Sequence, residues 1–117
     1  FITDQGHIAA TATITFAGSI AYDETITIIS TDGTSRTYTA RPPGVDPPHF
    51  NVDGGFDDKA TALKAAIEHA SGHNGKITVS QGGSGNAVLT LTQAVGGSSG
   101  NTTITENLGN TTKTNFR

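Results

Sequence analysis

Hydrophobic and polar positions alternate strictly from Ala10 to Phe16, with Ala10, Ala12, Ile14 and Phe16 on one side and Thr11, Thr13 and Thr15 on the other. That period of two belongs to a half-buried strand. After the Ala17-Gly18-Ser19 break the period returns from Glu24 to Ser30, where Ile26 and Ile28 share one face and Thr25, Thr27 and Ile29 the other. Ile29 among the threonines predicts some cover on both faces. Asp32-Gly33 supplies a tight turn, because glycine takes positive φ without steric cost, and Ser35 to Ala40 returns as a third strand anchored by Tyr38.

From Arg41 to Asp58 the alternation gives way to all four prolines and a run of turn formers, which predicts a long surface loop. Loops beyond about 12 residues are uncommon in compact domains unless they are functional or disordered. This one is therefore the candidate recognition loop, with Pro43, Val45, Phe50 and Phe56 as its contact residues; a rigid crossover from sheet to helix is the plainer alternative. Asp57 or Asp58 is the expected helix N-cap. Ala60, Leu63, Ala66, Ile67 and Ala70 then fall on one helical stripe, Lys59, Lys64 and Glu68 point outward, and Gly72 stands where a left-handed C-terminal cap is expected. Three more strands follow at Lys76 to Ser80, Ala87 to Gln93 and Thr102 to Glu106, with Gly-Asn turns before the last two.

The predicted order is β-β-β-α-β-β-β. It describes an α+β fold, mainly antiparallel β of about six strands with one helix packed on the sheet. Residues 1–9 are expected as an N-terminal arm, 10–106 as a single structural domain, and 107–117 as a C-terminal arm or edge strand.

Composition narrows the function. Only 15% of the 117 residues are charged, against a usual ~25%. There is no cysteine, which excludes disulfides, thiol nucleophiles and Cys-based zinc or iron–sulfur sites. A net charge of −3 with singly scattered Lys and Arg gives no footprint for nucleic acid, and no apolar run approaches the ~20 residues of a membrane span.

Candidate chemistry is sparse. The two Gly-rich turns run into strands and carry no lysine, unlike a phosphate loop that opens into a helix. His69 and His73 have the i, i+4 spacing of a metal pair, but near a helix C-terminus they more simply complement its dipole. Asp53, Asp57 and Asp58 lack the EF-hand alternation, and no Gly-x-Ser-x-Gly elbow is present. No catalytic residue, metal or cofactor is expected. Asn101-Thr102-Thr103 and Asn110-Thr111-Thr112 fit the N-glycosylation pattern, which matters only in a eukaryotic secretory host.

Several stretches occur together in a familiar order: Ala12-Thr13-Ile14-Thr15-Phe16 with Gly18; Glu24-Thr25-Ile26-Thr27-Ile28 running to Asp32-Gly33 and Tyr38; Ala60 to Ile67; Ala87 to Thr92; and Gly100-Asn101-Thr102-Thr103-Ile104-Thr105. Over positions 10 to 106 this series resembles the Thr/Gly-rich structural modules of tailed-bacteriophage virion proteins, including decoration proteins, fibres and insertion domains of tail sheaths. The resemblance implies a non-enzymatic virion structural protein, a capsid decoration or cement protein or a fibre module, at the virion surface or extracellular. Its partners would be identical subunits and other virion proteins, with Phe1, Ile2, Ile8, Leu108 and Phe116 as anchors of the assembly arms. Two alternatives stand beside it: a subunit of an extracellular filament built by strand donation, and a recognition module for a host-surface glycan. No nucleic-acid or membrane partner is expected.

Overall fold

The computed structural model describes residues 8–44 and 46–117. Along it run β1 (Thr11–Phe16), β2 (Thr25–Ile29), β3 (Ser35–Arg41), β4 (His49–Asn51), α1 (Phe56–Ile67), β5 (Ile77–Gly82), β6 (Val88–Gln93), β7 (Thr105–Glu106) and β8 (Thr111–Lys113). They form two four-stranded sheets, ordered β5-β6-β1-β8 and β4-β3-β2-β7. Every pair is antiparallel except β3 with β4. The fold is α+β and mainly β, with two short strands beyond those the alternation shows.

Alternation decides which face is inside. Ala12, Ile14 and Phe16 of β1, Ile77 and Val79 of β5, and Leu89 and Leu91 of β6 turn inward from the first sheet; Ile26, Ile28, Tyr38, Ala40 and Phe50 turn inward from the second. All belong to one core. Gln93 occupies an inward position of β6 yet is polar, so its amide must be paired. It donates to the Ile29 and Gly100 carbonyls at 3.1 and 3.3 Å and accepts from the Thr31 N–H at 3.1 Å, which ties the end of the first sheet to the end of the second.

The helix lies against β4 and β5, the edge strands of the two sheets. Its buried stripe is Ala60, Leu63, Ala66 and Ile67, small enough for close approach. Polar groups at the two ends of α1 also occupy the β5 edge. Glu68 accepts the Val79 N–H at 3.1 Å while holding Lys64 at 2.8 Å, and Gln81 donates to the Asp57 carbonyl at 3.1 Å. An edge so covered is closed to strand addition.

The structure departs from the sequence pattern at several positions. The N-cap is Gly55, and Asp58 instead stands in the first turn, accepting the Gly55 N–H at 3.0 Å. Lys59 is buried, because its ammonium turns back to the Gly54 carbonyl at 2.8 Å. Ala70 lies beyond the helix end and is exposed. Gly72 does not take positive φ; glycine is needed there because a Cβ would clash with the Ala66 carbonyl oxygen and meet the Tyr38 hydroxyl at 2.8 Å. Within the Pro-rich stretch, His49–Asn51 is a strand, so Phe50 points into the core.

The C-terminal residues are integral to the domain. β8 pairs with β1, and beyond it Arg117 and Thr11 exchange both backbone hydrogen bonds, at 3.0 and 3.1 Å. Leu108 and Phe116 are 5% and 2% exposed, so neither is available as a docking anchor: they complete the core of their own chain.

Candidate functional site

The outer face of the first sheet is paved with hydroxyls. Strand register places Thr78 beside Thr92 and Thr92 beside Thr11; the next row runs Ser80, Thr90, Thr13; the next joins Val88, Thr15 and Thr112. Thr114 extends the middle row, its hydroxyl 3.3 Å from that of Thr13 and accepting the Thr13 N–H at 2.9 Å. These side chains are exposed or half-buried, and none is charged. The cause is local: β-branched threonine suits a strand, and each outward position opposes another across the ladder. Neighbouring strands are about 4.8 Å apart and like-facing residues along a strand about 7 Å apart, so the hydroxyls form a regular two-dimensional array.

At one end of this sheet the Gln93 N–H closes the β1–β6 ladder on the Ala10 carbonyl, and the Gly97 N–H of the turn that follows reaches the Ile8 carbonyl, both at 3.0 Å. Ile8 is 68% exposed and Val95 59%, the two most exposed large apolar side chains among the described residues. Val95 borders a shallow pocket of about 170 Å³ that is also lined by Ser30, Thr31, Asp32, Gly75 and Lys76. Lys76 and Asp32 are ion-paired across it. That lysine, with the Ser30 hydroxyl and the Thr34 amide, holds the Asp32 carboxyl far below the usual carboxylate range.

The expected recognition residues differ in burial. Pro43 is exposed, Val45 lies outside the described residues, Phe50 is buried and Phe56 is half-exposed at the start of α1. Of the expected assembly anchors, Phe1 and Ile2 also lie outside the described residues, and Ile8 is on the surface. The histidine pair separates as well: His69 is exposed and accepts the Ser71 N–H at 3.0 Å, whereas His73 is fully buried. Among the described residues no group of three or more His, Asp or Glu is placed to hold a metal ion.

Two features escape the sequence. His73 Nδ1 lies 2.6 Å from the Tyr38 hydroxyl and its Nε2 3.0 Å from the Thr34 carbonyl oxygen, so a neutral ring with the proton on Nε2 satisfies both. Burial lowers the His73 pKa below its ordinary 6.5 and raises that of Tyr38 above its ordinary 10.0. Tyr22, outside every strand, sends its hydroxyl to Asp53 at 2.7 Å. Neither pairing has a sequence signal, because 35 and 31 residues separate the partners.

Comparison with protein-family models, with curated proteins and with solved structures finds no match to this chain.

Proposed function

We propose that this chain is a non-enzymatic structural protein of a tailed-bacteriophage virion, a decoration or cement protein or a fibre module, working by docking on identical subunits and on other virion proteins. The observation that carries the proposal is the uncharged hydroxyl face of the first sheet. Burying a lysine or glutamate against a neighbour costs desolvation of a charge and up to about 2 kcal/mol of rotamer entropy; threonine brings no charge and a stiff χ1. A face built of such residues loses little on being covered. Ile8 and Val95 add exposed apolar area near the Thr11 end of the same sheet. The ordered resemblance of residues 10 to 106 to virion modules supplies the setting.

The test is light scattering behind size exclusion with negative-stain imaging, on the wild-type chain and on a Thr11→Lys/Thr78→Lys variant. Both positions are exposed and flank Thr92, so two charges enter the face without touching the core. The wild type is expected to form closed oligomers or to bind assembled capsids or tails, and the variant to stay folded and lose that association. Association unchanged in the variant overturns the assignment of this face. Spontaneous long filaments would instead favour open head-to-tail growth.

A further inference from the structure

The described residues include six aromatic side chains, of which Phe16, Tyr38, Phe50 and Phe116 are buried; the other two are Tyr22 at 48% and Phe56 at 46% exposure. Asp53 joins them. Its Oδ1 accepts the Tyr22 hydroxyl at 2.7 Å, and only Gly54 and Gly55 separate it from Phe56, a chain reach of at most about 11 Å. Both rings are held. The hydrogen bond fixes the Tyr22 phenol, and the Lys59 ammonium, anchored on the Gly54 carbonyl, stands 5.9 Å from the centre of the Phe56 ring. Polar groups surround the pair: Arg41 is bound to Asp23 at 2.7 Å, and the Asn51 amide oxygen accepts the Asp53 N–H at 2.8 Å.

We infer that this corner is a binding site for a neutral saccharide, independent of the hydroxyl face on which the proposed function rests. Sugar rings present polarised C–H faces that pack on exposed aromatic rings, and adjacent hydroxyls that pair with carboxylates, amides and guanidinium groups. Fixed rings beside a carboxylate bind at little cost in ordering. The charge decides the class of ligand. Asp23, Asp53, Asp57 and Asp58 are all exposed around the rings, against Arg41 and the buried Lys59, so phosphates and acidic sugars are repelled.

The experiment is an amide NMR titration of the full 117-residue chain with maltohexaose, cellohexaose, mannohexaose and chitohexaose, and with sialyllactose as the acidic control. At least one neutral hexaose is expected to shift the amides of residues 22–23, 41 and 51–56, while sialyllactose leaves them unmoved. Tyr22→Ala and Phe56→Ala should each weaken binding about tenfold with the remaining spectrum intact, since both side chains stand on the surface. The inference is overturned if all four neutral sugars leave this corner unmoved at about 10 mM, well above a millimolar dissociation constant. It is equally overturned if the shifts map elsewhere, if only the acidic sugar binds, or if both variants bind like the wild type. An intact hydroxyl-face association with no sugar binding separates this failure from that of the structural role.

Discussion

His73 is held by two different elements, the Tyr38 hydroxyl of β3 and the Thr34 carbonyl of the β2–β3 turn, and it also lies near Asp32, Arg36 and Lys76. Burial disfavours the imidazolium, so the folded-state pKa is lowered. A base with a lowered folded pKa contributes stability that is complete above its unfolded value and is lost as pH falls. Stability should therefore drop as pH goes from about 6.5 toward the lowered folded value, by at most about 1.4 kcal/mol per pH unit for one proton. Urea titrations at several pH values check this, and His73→Gln, lower in stability throughout, should flatten that slope. Spacing with His69 pointed to dipole complementation at a helix end, and nothing local reveals Tyr38 as partner. Gly72 was legible as a required glycine for the wrong reason: close approach of Ala66 and Tyr38 demands it, not a left-handed turn.

Elements with long alternation were legible: β1, β2, β3, β5 and β6 fall where period two places them, because burying one face fixes both strand and register. Short elements were not. β4 spans three residues inside the Pro-rich stretch, and prolines mask a pattern in which Phe50 and Val52 are buried and His49, Asn51 and Asp53 are not. That brief alternation was the signal for it. Phe50 and Phe56 carried equal weight as surface contacts, and the structure separates them. Phe50→Ala should cost about 3–5 kcal/mol through the cavity it leaves, whereas Phe56→Ala should stay within about 0.5 kcal/mol. Denaturant midpoints at constant slope measure both. Of the candidate sites, the Thr-rich strands were visible in the sequence, but only the register turns separate strands into one hydroxyl face.

At the scale of the molecule, α1 covers the β4 and β5 edges, and the segment from Thr102 to Arg117 links the sheets on the β7 and β8 side. The Phe116 N–H reaches the Thr102 carbonyl at 3.1 Å, and the Asn115 side chain accepts the Ile104 N–H at 3.0 Å. A tail of polar residues with one aromatic offers little periodicity, so its place in the core depends on partners far along the chain. The pairing of Thr11 with Arg117 has a mechanical consequence. Because β1 and β8 are antiparallel, tension applied through the two ends peels this ladder open one hydrogen bond at a time and never loads its bonds together in shear. In a single-molecule pulling experiment the chain should yield at low force, with β8 detaching first; clamping Thr11 to Arg117 with a crosslink should raise that force sharply. A domain built this way resists load transmitted across its faces far better than load drawn through its ends.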